Sequence, residues 1–348
     1  MSAPAQTRDP ENASGARRPR WPSVSRGLAT ISVALVALLV VSAVVAPSSV
    51  SRGALLGMLP FAAVLAVVAL GQTLVVQQGG FDLSVPGAVS LAVVVVTHQP
   101  NGDDSRLPLA ILTALGFAIA AGLVNGFLVS RLRLNPIVAT LGMSALLYAV
   151  VLAISSGAPR RTTDLLADLT GGITAGVPHA VLIAVVVVAV TTTAMKSTVA
   201  GREFEAVGAS APAAHATGLP VVRRRASAYL WAQVLYCIAG IMLAGIVAQP
   251  TAFQGDAYLL PSVAAVVLGG TSLLGGRGYL VATAVAALFL SQLQQFVLAL
   301  GVSFAIRTIV EAAALGLGVA LFTVDWTSVR RRLSSLLPAR SGAPATGP

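Results

Sequence analysis

The stretch Ile31–Ala46, ISVALVALLVVSAVVA, carries no charged side chain and only two hydroxyls. A helix rises about 1.5 Å per residue, so such a run with its flanks can cross the roughly 30 Å of a hydrocarbon layer. Comparable runs recur along the chain. They are continuous rather than alternating at every second residue, which argues against a porin-like barrel. Charged residues make up 10% of the chain and hydrophobic ones 56%, whereas soluble domains average about 25% charged. The expected fold is an all-α polytopic membrane protein.

About ten spans are expected, near 27–46, 54–76, 81–97, 107–130, 135–155, 177–195, 226–248, 258–275, 279–300 and 304–323. Basic residues test their order. With both termini in the cytoplasm, the inside segments carry seventeen of the 22 Lys and Arg and the outside segments five. That asymmetry follows the positive-inside rule. Residues 1–26 and 326–348 read as cytoplasmic tails, the first disordered, and 27–325 as the transmembrane domain. The net charge of +10 therefore orients the chain rather than binding nucleic acid. The single Cys237 allows no internal disulfide, and His98, His179 and His215 fall on loops or span ends. No nucleophile–base pair or metal-ligand cluster stands out, so covalent catalysis is not expected.

Three connections depart from short turns. The outer loop 156–176 is long and polar. Two glycine-broken segments, QQGG before Phe81 and LGGTSLLGGRG at 268–278, have the character of discontinuous helices beside a transport site. The third is the loop 196–225, the longest between spans. Within it Ser210 suits an N-cap, Pro212 a first helical turn and Gly218 the left-handed position after a helix end. A short helix over 211–217 is predicted, as a docking element or as a solvated connector.

Gln72, Asn125, Thr140, Ser144, Gln233, Gln292, Gln294 and Gln295 are polar residues within or near spans. Neutral amides donate and accept, which suits a hydroxyl-rich solute; they also bond helix to helix. Arg307 and Glu311, spaced i, i+4, read as a surface ion pair or a proton relay. Asp82 follows Gly80 after a Gly-Gly turn and precedes Ser84. It reads as a helix cap whose carboxylate accepts from free amides, with a transport role or an interhelical contact as the alternatives.

Four segments, GQTLVVQQGGFDLS, NGFLVSRLRLNPIVATLGM, GREFEAVGASAPAAHATGL and AAVVLGGTSLLGGRG, occur in an order and spacing that resemble the permease subunits of bacterial sugar ABC importers. The resemblance covers about 50–325 and implies a translocation pathway for a monosaccharide or similar small polar solute, with amino-acid or nucleoside permeases of the same superfamily as the nearest alternative. A proton-coupled secondary transporter using Asp82 or Glu311 is the alternative from another class.

The resemblance also implies partners: a second permease subunit, cytoplasmic ATPase subunits, an extracytoplasmic sugar-binding protein and the lipid of the bacterial cytoplasmic membrane. ATP and magnesium would sit on the ATPase and no cofactor on this chain, whose only lysine, Lys196, lacks the glycine-rich loop of a phosphate cradle. The loop 196–225 would couple to that ATPase through Glu203, Glu205, Gly208, Ser210, His215 and Gly218. Three departures are visible. Gln294–Gln295 replaces the family's asparagine pair, Pro86 stands for a glycine, and Ala257-Tyr258-Leu259-Leu260-Pro261 lacks the family's acidic residue.

Overall fold

A computed structural model describes residues 26–303 and, beyond them, 305, 306, 309, 310, 312, 313 and 316. The tails 1–25 and 326–348, most of the tenth expected span, Arg307 and Glu311 lie outside the described residues. The described chain is mostly helical. The helices are α1 (Arg26–Val45), α2 (Arg52–Gln77), α3 (Val85–His98), α4 (Leu107–Ser130), α5 (Pro136–Ser155), α6 (Asp164–Leu166), α7 (His179–Ser197), α8 (Val199–Ala209), α9 (Ala211–Ala216), α10 (Val221–Ile246), α11 (Leu259–Leu268) and α12 (Leu280–Ala299). Seven of those described are long and apolar enough to cross a membrane.

Helices α2 and α10 form the centre, with α3, α4, α11 and α12 packed around them and α1 set against α12. From Ala62 onward every residue of α2 is buried. The α4–α10 contact is built on small residues. A Cβ at Gly122 would lie 2.7 Å from Leu230 Cα, and one at Gly126 would lie 2.8 Å from the Ala226 carbonyl oxygen. This Gly-x-x-x-Gly spacing lets two backbones approach, so dispersion replaces the hydrophobic drive that lipid cannot supply. The outward faces of α4, α5 and α7 expose Leu109, Leu112, Leu141, Leu146, Val185 and Val186, as a lipid-facing perimeter requires.

Two helices fall short of a full crossing. The α3 and α11 spans were expected over 81–97 and 258–275, but their helices have 14 and 10 residues. The reason lies in how their glycine-rich flanks close. At the end of α2, Gly79 adopts φ 75°, its N–H bonds the Val76 carbonyl at 2.9 Å, and the next N–H bonds Val75 at 3.2 Å. At the end of α11, Gly270 adopts φ 87° with the matching bonds to Val267 at 2.8 Å and Val266 at 3.2 Å. Both are Schellman motifs, where a left-handed residue ends the helix and satisfies its last carbonyls.

The two ends of the bundle differ in charge. One end holds Arg131, Arg133, Lys196, Arg202, Arg223, Arg224, Arg225 and Arg277 against Glu203 and Glu205. The other holds Arg52, Arg106, Arg160 and Arg161 against Asp103, Asp104, Asp164, Asp168 and Asp256. The loop 156–176, read as merely polar, is ordered at this second, acidic end. It forms α6, a single π turn over Ala167–Gly171 and a two-residue hairpin, β1 (Ile173–Thr174) with β2 (Val177–Pro178). The hairpin turn has positive φ at both Ala175 and Gly176, the twist that two-residue hairpins favour.

Candidate functional site

At the basic end, α8 closes over the turn that ends α2 and over the Gly275–Gly276 loop that follows α11. Its Gly201, Phe204 and Val207, three residues apart, are buried on one face. Gln78 donates its Nε2 to the Phe204 carbonyl at 2.9 Å, and the Gly276 amide donates to the Gln77 carbonyl at 3.1 Å. A Cβ at Gly208 would lie 2.6 Å from the Gln77 carbonyl oxygen and 3.1 Å from that of Gly276. Only a glycine lets α8 seat on both segments at once. The two glycine-broken segments, about 200 residues apart in sequence, thus meet beneath the loop 196–225.

The rest of that loop forms α9. Ser210 accepts from the Ala213 amide at 3.3 Å as N-cap. Gly218 has φ 80° and ends the helix with bonds to His215 and, one residue on, to Ala214. The predicted 211–217 helix is present one residue shorter. The sequence reading missed α8, because Arg202, Glu203 and Glu205 interrupt its apolar residues and make the segment read as part of a polar loop. Glu203 is held in an ion pair with Arg224, 2.6 Å from its Nη2, tying α8 to α10. Glu205 is half-buried, and His215 and Ser210 are exposed.

Between α2 and α3 the chain runs non-helical through the protein interior. Asp82 is fully buried, and its carboxylate accepts from the Ser84 amide at 2.9 Å and from the Ser84 hydroxyl. Gln233 of α10 donates to Ser84 Oγ at 2.6 Å and to the Asp82 carboxylate at 3.4 Å. Asn125 of α4 donates to the same Oγ at 3.3 Å, and Thr140 of α5 accepts from the Leu83 amide at 2.9 Å. Non-helical backbone at this depth survives only when protein satisfies it, and three helices do so here. Gly80 lies under the Tyr229 hydroxyl. Nearby, Tyr236 donates to Gln72 Oε1 at 2.9 Å, and Ser144 packs its backbone against Gly87 of α3.

A second polar region opens toward the acidic end. The chain after α10 turns inward, where the Gly255 amide donates to Ser90 Oγ of α3 at 2.9 Å and Asp256 accepts from Tyr148 of α5. This segment, α2 and α12 enclose a cleft of about 700 Å³ lined by Gln254, Asp256, Ser291, Gln294 and Gln295 among apolar residues. Among the described residues no Lys, Arg or His lines it. Of the eight polar candidates, Gln294 and Gln295 border this cleft. Gln72, Asn125, Thr140, Ser144 and Gln233 lie between helices, and Gln292 donates to Ser42 of α1 at 3.3 Å. Among the described residues no His, Cys, Asp or Glu cluster could hold a metal.

A multi-pass helical bundle with two interrupted helices, a polar cleft at one end and a surface helix clamped at the other defines a membrane permease. The sequence profile of the branched-chain amino acid transport system permease component matches residues 54–323, and the chain belongs to this family. It is 33% identical over 294 residues to the probable ABC transporter permease protein y4mJ of Sinorhizobium fredii, covering 83% of this chain and 87% of that one. The ribose import permease protein RbsC of Escherichia coli is also 33% identical, covering 82% and 91%. The fructose import permease protein FruF of Bifidobacterium longum is 32% identical, covering 72% of each. No solved structure matches the chain.

Proposed function

We propose that this chain is the membrane subunit of an ATP-binding-cassette importer and carries a monosaccharide or a similar small, neutral, hydroxyl-rich solute. One observation carries the choice of substrate class: among the described residues the cleft offers amides, Ser291, Tyr258 and one carboxylate already bonded to Tyr148, and no cation. An amino acid would bring a carboxylate with no cationic partner there, whereas amides pair with sugar hydroxyls as donor and acceptor alike. Two of the relatives are named for ribose and fructose import, in keeping with this reading.

The mechanism is alternating access without covalent chemistry on this chain. A binding protein delivers the solute to the acidic end, which faces outward. A second permease subunit closes the open side of the cleft, flanked by the exposed Phe61, Leu260 and Leu298. A separate ATPase, holding ATP and magnesium, engages α8 and α9 at the cytoplasmic end. Its closure moves α8, and with it the turn that ends α2 and the glycine loop that follows α11, so that nucleotide state is felt beside both interrupted helices.

Uptake of labelled ribose, fructose, other pentoses and hexoses, and leucine, in a strain lacking the chain and in one complemented with it, tests the reading. Restored uptake of a monosaccharide is expected. Restored uptake of leucine alone would overturn the substrate class.

A further inference from the structure

Where α4 leaves the membrane at the basic end, a groove of about 660 Å³ runs between it, the start of α10 and the segment after α9. Its walls are apolar and open. Leu123 is 57% exposed, Phe127 54% and Val222 44%. Arg131 and Arg223 line its end, and among the described residues no Asp or Glu does. Neither guanidinium makes an ion pair among the described residues, although Arg224 next door is neutralised by Glu203.

From this we infer that the groove is a binding site for one anionic phospholipid of the leaflet at the basic end. The polarity runs the right way for such a molecule. Leu123 and Arg131 are eight residues apart, about 12 Å along a helix, so acyl chains against Leu123 and Phe127 place a phosphate near Arg131 and Arg223. Leu123 and Phe127 continue the exposed face of α4 that includes Leu109, Leu112 and Ile119, so the groove opens onto the lipid-facing perimeter. A basic residue near an anionic membrane surface contributes about 1 kcal/mol of attraction, and basic pockets between helices are the recurring form of headgroup recognition. Because the groove also reaches His215 of α9, an occupying lipid buttresses the helix assigned above to ATPase coupling. The lipid site itself stands on the geometry alone and would survive failure of the ATPase assignment.

Native mass spectrometry of the purified full chain, titrated with phosphatidylglycerol or phosphatidylcholine, provides the test. One phosphatidylglycerol is expected to stay bound, and the Arg131→Gln/Arg223→Gln double variant should weaken it at least tenfold. Arg133→Gln, at the same end but outside the groove, should leave it unchanged. Inorganic phosphate should not displace the lipid. Equal retention of phosphatidylcholine, or unchanged phosphatidylglycerol binding in the double variant, would overturn the site. Loss of ATPase co-purification in the double variant with lipid binding intact would instead make the groove a protein contact and overturn it equally. Should the double variant fail to fold, Arg223→Gln alone, at the exposed start of α10, is read in the same way with a smaller expected loss.

Discussion

Gly208 and Gln77 meet so closely that a methyl group at Gly208 would stand 2.6 Å from the Gln77 carbonyl oxygen. One partner is on the surface helix α8, the other ends α2. That contact joins the loop 196–225 to the interior of the bundle, and under the proposed function it is the mechanical link to the ATPase.

Gly208→Val therefore forces α8 off the turn, because the opposing atom is backbone and cannot rotate away. Overpacking of this kind costs about 1–3 kcal/mol. Membrane insertion should persist, while uptake falls at least tenfold and ATP hydrolysis loses its response to substrate. Uptake measured beside hydrolysis in the reconstituted complex checks this.

The Asp82 carboxylate is surrounded by neutral donors. Asp82→Asn keeps an acceptor for the Ser84 amide, and its new N–H groups meet a site where Asn125 Oδ1 and Gln233 Oε1 have no donor. Uptake within about threefold of the parent is expected. Asp82→Leu strands the Ser84 and Gln233 donors, at about 1–3 kcal/mol for each buried group left unpaired, and should lower the melting temperature sharply. Thermal unfolding in detergent separates the two. Near-total loss of transport in a well-inserted Asp82→Asn protein would count against a structural role.

Most of this fold was legible from the sequence because membrane helices announce themselves by uninterrupted apolarity and short polar turns. The loop helix was legible from Ser210, Pro212 and Gly218, which encode a cap, a first turn and a left-handed exit. Two things were not. Whether Gln233 on α10 and Gln294 on α12 face a neighbour helix or a cleft depends on helix rotation, and apolar residues surround both on every side of the helix, so periodicity gives no direction. The inward course of residues 247–255 was hidden as well, since its contact with Ser90 pairs positions 165 apart. Gly122 and Gly126 did carry a readable signal of close helix packing, in their four-residue spacing.

The three glutamines of α12 should separate by function. Gln294→Ala and Gln295→Ala remove cleft-lining amides, so transport should drop several-fold with little change in melting temperature. Gln292→Leu removes the bond to Ser42 on α1, and should change stability while sparing substrate affinity. Concentration-dependent uptake and melting curves of the three variants check the division.

Tyr236→Phe deletes the hydroxyl that donates to Gln72 at 2.9 Å between α10 and α2. Interhelical hydrogen bonds in membranes average about 0.6 kcal/mol, so a slight loss of thermal stability and unchanged uptake are expected. A large transport defect without destabilisation would place Gln72 on the solute's path.

The source of energy is the central claim. In right-side-out vesicles holding the permease and its partner subunits, internal ATP can be kept constant while the proton gradient is dissipated. Sugar uptake should continue after the uncoupler and stop when vanadate is enclosed. Uptake that collapses with the uncoupler and ignores vanadate would contradict the account and return Asp82 to the role of a proton carrier.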